Sequence, residues 1–418
     1  MDSPFVATHK VGPLIIPILR ELALRVPRAS IPGLGGQRFL WMAGGPGSSI
    51  GVGMAESIPS APPPLTVKAV RAKQYSLPAA VLAVAVMPDG RSAVVACQDG
   101  GVRVVNLADG RWRDIGRHTS YASGVVVLPD GNTVISAGYD GVLQWHDALE
   151  GHTLREIKAH EFWSWDLALS RDGRRVASAT GRYAAGGYKY EPAPETEPSV
   201  RVYDAVNGVE LAAFPHVPPV QAVALSADGR RVAAGNLMGE IRIWDVDERK
   251  ETARWTTQAY TSWGVIKSHH YIGGIFAMEF GPGDEELLVC GMGPMRDPMA
   301  GNGLQRWQRF AARDGRLLSE TREDDSGRGL MEALTFHPSS AWFAMGGRLT
   351  NGKWNLAFFE RETGRMVHAA DVQHRITDLV FSPDGGRLLI AKARQQERRT
   401  KEGRWPDYGT LEVWTVNA

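Results

Sequence analysis

A chain of 418 residues with 43% hydrophobic and 22% charged side chains has the composition of an ordinary globular protein. Its length predicts two or three domains unless a repeat closes the chain on itself. With 47 basic and 46 acidic residues the net charge is +1, which excludes a global field that would draw in nucleic acid or an anionic membrane. Arginine outnumbers lysine 37 to 10, a skew that reads as a GC-rich, bacterial genome. Cys97 and Cys290 each end a strand-like apolar run. Two cysteines form no disulfide framework, so buried free thiols are expected, in keeping with a reducing, cytoplasmic compartment.

Taken from the start, residues 1–63 read as a largely irregular extension ahead of a single domain over 64–418. Gly12–Leu19 is the nearest approach to an apolar span, but it contains two prolines and runs into Arg20-Glu21, well short of the ~20 residues a membrane helix needs. No small-residue cleavage site follows it, so no secretory signal is expected. Ile15–Val26 suits one short amphipathic helix, and residues 31–63 are rich in Gly, Pro and Ser. Within them, Phe39–Ser49 (FLWMAGGPGSS) resembles the oxyanion-loop segment of α/β-hydrolases over about a dozen residues. Such an enzyme also needs a separate nucleophile elbow. The sole G-x-S-x-G match, Gly47–Gly51, overlaps the oxyanion segment itself, so a glycine-rich linker is the reading adopted. Met54-Ala-Glu-Ser57 reads as an alternative N-terminus.

From there a pattern repeats. Short apolar runs end at Pro88-Asp-Gly90, Pro129-Asp-Gly131, Arg171-Asp-Gly173, Ala227-Asp-Gly229, Pro282-Gly-Asp284, Pro338-Ser-Ser340 and Pro383-Asp-Gly385. The intervals are 41, 42, 56, 55, 56 and 45 residues, a floor near 41 with stretches. Four-stranded blades with loop insertions produce that spacing. One unit shows why. Val220–Ser226 is largely apolar, as an inner strand covered on both faces must be. Ile241 and Ile243 alternate with Glu240 and Arg242, the period of a half-buried strand, and Thr252–Thr256 is polar enough for an outer edge. Asp-Gly at the corner is expected to supply the positive φ angles of a tight hairpin.

The phrases VFSPDG (380–385), IRIWD (241–245) and VRVYD (200–204) resemble the WD-repeat family, and the likeness covers about residues 65–418. It implies an all-β fold, a seven-bladed β-propeller of four-stranded antiparallel blades. In that family a His opens each repeat and joins a Ser or Thr, an Asp and a Trp in a buried structural network. His118, His160 and His216 each lie 11 residues before a corner, as the family pattern implies. Ser136 and Asp140 match in blade two, with His146 in place of Trp; blade three has Tyr203 and blade one Val105 there; in blade four Trp244 fits without Asp or Ser. The last blade reaches only its third strand, Thr410–Val416, so Leu65–Val70 is expected to supply the fourth and close the ring.

In such a meander the strand 2–3 loops and the blade-to-blade loops share one face, and every long insertion falls there: Gly181–Pro198, Gly291–Gly303, Arg394–Tyr408 and the entering loop Ala259–Gly273. These and the neighbouring connections carry Tyr121, Trp163, Tyr183, Tyr188, Tyr190, Trp263, Tyr271, Met295 and Trp405, interspersed with Arg182, His269, His270, Arg296 and Arg348. Aromatic rings and arginines on loops above a rigid scaffold are the chemistry of a recognition surface. The bland alternative is a set of small hydrophobic clusters within the loops. His269 and His270 are adjacent with no nearby Cys or carboxylate, so no metal site is expected. The segment Arg394–Arg404 is basic and reads as a solvated loop, with RNA or phosphate contact as its alternative; Glu191–Glu197 (EPAPETE) reads as a solvated, Pro-stiffened arm.

No cofactor motif is present, C-x-x-C-H included. The function expected is a non-enzymatic scaffold binding a protein or peptide on the insertion-bearing face. The alternative is an enzyme or small-molecule binder at the axial mouth of the same face. A broad apolar surface would favour the first; a deep pocket of convergent polar groups with shifted pKa values would favour the second.

Overall fold

The computed structural model describes residues 65–182, 195–260, 274–295, 303–322, 329–349, 352–394 and 407–417. They form seven four-stranded antiparallel sheets. Blade one runs Val81–Val86, Ser92–Cys97, Gly101–Asn106, Trp112–Arg117; blade two runs Ala122–Val127, Thr133–Gly138, Val142–Asp147, His152–Lys158. Blade three runs Asp166–Leu169, Arg175–Ala179, Val200–Asp204, Glu210–Phe214. The next three blades begin with Val220–Leu225, Gly274–Phe280 and Gly329–Phe336. Each innermost strand packs against the innermost strands of both neighbours, so the blades close into a ring. The fold is the seven-bladed β-propeller. Among the described residues there is no α-helix, and no helix is long and apolar enough to cross a membrane. The helix expected over Ile15–Val26 and the Phe39–Ser49 segment lie outside them.

The core follows from this geometry. Apolar side chains form seven buried clusters, and each is shared by two adjacent blades. Between blades five and six, for example, Trp307 packs edge-on to Phe343 and Phe359 at 5.0 and 5.5 Å. Inner strands therefore need apolar residues on both faces, which is why their sequences run rather than alternate. Cys97 and Cys290 are buried in two of these layers as free thiols.

The corners differ in detail from the expectation. Positive φ falls on the glycine alone in the Asp-Gly corners, as at Gly90 (63°) and Gly385 (74°). The preceding aspartate instead accepts the main-chain N–H two residues on, Arg91 N to Asp89 Oδ1 at 2.8 Å being typical. In blade six Ser340 takes the left-handed conformation (63°) without a glycine.

Ring closure occurs as expected in kind but not in extent. The closing strand is Lys68–Leu77, starting later and running longer than Leu65–Val70, and it pairs with Gly409–Asn417 in register Lys68 with Asn417 through Leu77 with Gly409. Blade seven is thus ordered Arg375–Phe381, Arg387–Ala393, Gly409–Asn417, Lys68–Leu77 from the axis outward.

Candidate functional site

The strand 2–3 corner of blade two is Tyr139-Asp140-Gly141. Gly141 has φ 73°, and a Cβ there would lie 2.1 Å from the carbonyl oxygen of His160. Only glycine lets the chain leaving blade two come this close. The Gly141 carbonyl then accepts the N–H groups of Ala159 and His160 at 2.9 Å. The approach places Phe162-Trp163-Ser164-Trp165 directly beside Tyr139.

The result is a ridge of rings. Tyr139 stacks on Trp163 at 4.7 Å with planes 3° apart, and Trp163 stacks on Phe162 at 4.8 Å and 14°. Trp165 stands edge-on to Tyr139 and Trp163 at 5.3 and 5.2 Å. Tyr121 extends the row at 5.5 Å from Tyr139, and the Arg182 guanidinium covers the far end, 5.3 Å from the Phe162 ring. All five rings are half-buried and Arg182 is exposed. Each aromatic pair adds about 0.5–1.5 kcal/mol beyond area burial, so the stacked rings hold one another in place.

Hydrogen bonds fix it to two blades. Tyr139 N–H donates to the Tyr121 carbonyl at 2.8 Å; Thr180 Oγ1 donates to the Trp163 carbonyl at 2.7 Å; Trp165 Nε1 donates to the Gly181 carbonyl at 3.0 Å. Glu197 accepts from the N–H groups of Glu161 at 3.0 Å and Phe162 at 3.3 Å. Glu195 accepts from Ser199 Oγ at 3.2 Å and from His216 N–H at 2.9 Å. The end of the acidic stretch therefore braces the ridge and the next blade, while Glu195 and Thr196 stay exposed; residues 191–194 lie outside the described ones.

Beneath the ridge runs a buried polar chain. In blade two His118 Nδ1 lies 3.0 Å from Asp140 Oδ1, and its Nε2 lies 2.8 Å from Ser136 Oγ. Ser136 Oγ lies 2.8 Å from His146 Nε2, whose Nδ1 meets Thr153 Oγ1 at 3.1 Å. His146 thus completes the network at the position where the family pattern has Trp. Burial works against ionised Asp140, yet hydrogen bonds from His118, Thr119 and Val142 hold its pKa down to about 2. In blade three His160 Nε2 meets Ser178 Oγ at 2.8 Å and Ser178 meets Ser164 Oγ at 2.7 Å. Blade four keeps only His216 Nε2 to the Ala234 carbonyl, at 3.3 Å, with Trp244 edge-on.

Around the axis, carboxylates act as pins between blades. Asp378 accepts from Val84 N–H at 2.8 Å, Asp166 from Val223 N–H at 2.9 Å and Glu279 from Phe336 N–H at 3.0 Å. Each reaches from one innermost strand to the innermost strand of the next blade. Desolvation raises Asp166 to about 6 and Glu279 and Asp378 to about 7. Desolvation lowers His146, His160 and His216 to about 3.

These shifts oppose one another in pH. A histidine whose folded pKa lies below its unfolded value of about 6.5 withdraws stability as pH falls through that window. A carboxyl whose folded pKa lies above its unfolded value of about 4 contributes stability that is present in acid and lost as pH rises toward 6 and 7. Replacing Asp166→Asn, Glu279→Gln and Asp378→Asn together removes the second effect. The expected outcome is a melting temperature that falls more steeply than wild type between about pH 7.5 and about pH 5, read by thermal scans across pH. Parallel pH profiles would contradict the assignment.

The residues singled out from the sequence separate as follows. Tyr121, Trp163 and Arg182 come together in the ridge. Met295 ends the strand Glu286–Met295 of blade five, its backbone opposite Gly303, and Arg348 is half-buried in the strand Trp342–Leu349 of blade six, outside the ridge. Tyr183, Tyr188, Tyr190, Trp263, His269, His270, Tyr271, Arg296 and Trp405 lie outside the described residues. Tyr139, Phe162 and Trp165 are ridge members absent from the sequence-derived set. The signal that marks them is the run Glu161-Phe-Trp-Ser-Trp165, three aromatic residues within four positions of a blade-to-blade connection.

No family model matches the chain. Telomerase protein component 1 of Rattus norvegicus is 25% identical over 192 residues, 45% of this chain and 7% of that protein. Small ribosomal subunit protein RACK1 of Trypanosoma brucei brucei is 28% identical over 152 residues, 34% of this chain and 42% of that protein. COMPASS component SWD3 of Saccharomyces cerevisiae is 22% identical over 167 residues, 38% of this chain and 49% of that protein. The matched stretches cover less than half the length of each of these relatives. The seven four-stranded blades and these likenesses accord with the resemblance to WD-repeat propellers, from whose buried network this chain departs at His146 and in blade four. All three are eukaryotic proteins, so the bacterial source read from the arginine skew gains no support from them.

Proposed function

We propose that the chain is a non-enzymatic recognition scaffold that binds a partner protein or peptide on the face bearing the long loops, with the ridge between blades two and three as its anchor. The observation carrying this reading is the continuous Tyr139–Trp163–Phe162 stack, flanked by Tyr121 and Arg182. Aromatic residues and Arg, rigidly held at the surface, are the residue types that dominate interface energies. The relatives RACK1 and SWD3 are named as components of larger assemblies, a ribosomal subunit and COMPASS, which accords with a scaffold. The carboxyls with raised pKa values, which an axial enzyme site would need free, are engaged in pinning blades. A cytoplasmic location, with residues 1–63 as an extension preceding the propeller, belongs to the same proposal and accords with the two unpaired thiols.

The test compares Trp163→Ala with Leu149→Ala, an exposed apolar residue at a strand 3–4 corner, where the meander puts it on the opposite face. In quantitative affinity capture from the native host, Trp163→Ala is expected to lose, at least tenfold, partners that Leu149→Ala retains. Equal recovery with both variants, each melting like wild type, would sink the ridge as anchor.

A further inference from the structure

A concavity lies in blade seven. It has a volume of about 220 Å³ and is walled by Arg71 and Gln74 of the closing strand, Val372–His374 entering the blade, Lys392 and Arg394, and Thr410 and Glu412. At about 30 Å³ per water it holds a group several times larger than one solvent molecule. Its lining is almost wholly polar.

Two of its polar atoms are buried without a hydrogen-bond partner among the described residues, Thr410 Oγ1 and Arg394 Nε. Thr410 is 1% exposed. Buried polar groups left this way cost stability unless a further group satisfies them. Glu412 does not serve: its Oε1 already accepts from Lys392 Nζ at 2.9 Å and Arg71 at 3.1 Å, and its Oε2 from Trp414 Nε1 at 2.8 Å. Lys392 Nζ spends a second donor on the Val372 carbonyl and has a third to offer. The Arg394 side chain makes no ion pair or hydrogen bond among the described residues.

The charges do not balance. Among the described lining residues Arg71, Lys392 and Arg394 meet one carboxylate, Glu412, and the excess is felt on the rim, where Asp371 offsets part of it. Burial and then the charges of Lys392 and Arg394 push the His374 imidazole below its ordinary pKa, against opposing pulls from Glu412 and Asp371. A phosphate monoester carries about −1.5 to −2 at neutral pH and three strong acceptor oxygens. It matches the surplus in charge, and its acceptors suit the idle hydroxyl and guanidinium.

We propose that this pocket is a phosphate-binding site, in which Arg394, Lys392 and the Thr410 hydroxyl grip a single phosphate group, supplied either as free phosphate or as a phosphorylated serine side chain. It stands independently of the aromatic ridge.

The test titrates the full chain calorimetrically with inorganic phosphate, and separately with a phosphoserine peptide and its unphosphorylated counterpart. Saturable binding of at least one phosphate-bearing probe is expected. Thr410→Val, which keeps side-chain shape, and Arg394→Ala are each expected to weaken it tenfold or more, while Trp163→Ala leaves it unchanged. Binding of inorganic phosphate alone would assign the pocket to free phosphate, and preference for the phosphopeptide would assign it to a modified partner. Failure of both probes, or binding indifferent to Thr410→Val and Arg394→Ala in folded variants, would overturn the proposal.

Discussion

A chain that starts at Pro78 is expected to lose its single cooperative unfolding transition and to self-associate. Residues 65–77 carry the fourth strand of blade seven, Lys68–Leu77, and Val67, Ala69 and Leu77 of this segment are buried. Burying a side chain of Val or Leu size contributes about 1.5–3 kcal/mol, and a domain's whole stability is about 5–15 kcal/mol. The truncation also uncovers Gly409–Asn417, in which Leu411, Val413, Trp414 and Val416 are buried, as an open strand edge. Open apolar edges pair with other chains. A chain that begins at Leu65 keeps every one of these contacts and is the control. Thermal melting with size-exclusion chromatography reads the result, and a peptide of residues 65–77 added in trans is expected to restore the transition. An unchanged melt for the chain starting at Pro78 would contradict the closing role.

Glu412→Ala is expected to destabilise by about 3–5 kcal/mol, the cost of leaving a buried charge uncompensated. Lys392 is 2% and Glu412 0% exposed. Removing the carboxylate strands the ammonium, which then keeps only the Val372 carbonyl as its partner, and also orphans Trp414 Nε1. The paired replacement Lys392→Met with Glu412→Leu removes both charges at similar volume and is expected to recover most of the loss. Urea unfolding of the three chains measures this. A double variant as unstable as Glu412→Ala would show that packing, not charge, sets the cost.

The propeller is legible in the sequence because its signals are local and repeated: an apolar run, a tight corner and an alternating strand, blade after blade. The closing strand is legible in place but not in length. Lys68–Leu77 is an outer strand exposed at most positions, and such strands carry little alternation to mark their ends. At the ridge, composition points to Tyr121, Trp163 and Arg182 but not to Tyr139, Phe162 and Trp165. Long insertions draw attention in a sequence, whereas this chemistry sits on short connections brought together by the close approach at Gly141. The buried network looks interrupted at His146 when only residue types are compared. A hydrogen-bond chain needs just a donor and an acceptor in place, and imidazole supplies both.

The pairing of Lys68–Leu77 with Gly409–Asn417 also fixes an order of events during synthesis. Contacts so distant along the chain form slowly, because loop entropy must be overcome before they reward it. The early segment has to wait, without its partner, while the ribosome makes more than three hundred further residues. Six blades are free to assemble in turn as they emerge, but the toroid latches only when the strand ending at Asn417 clears the exit tunnel.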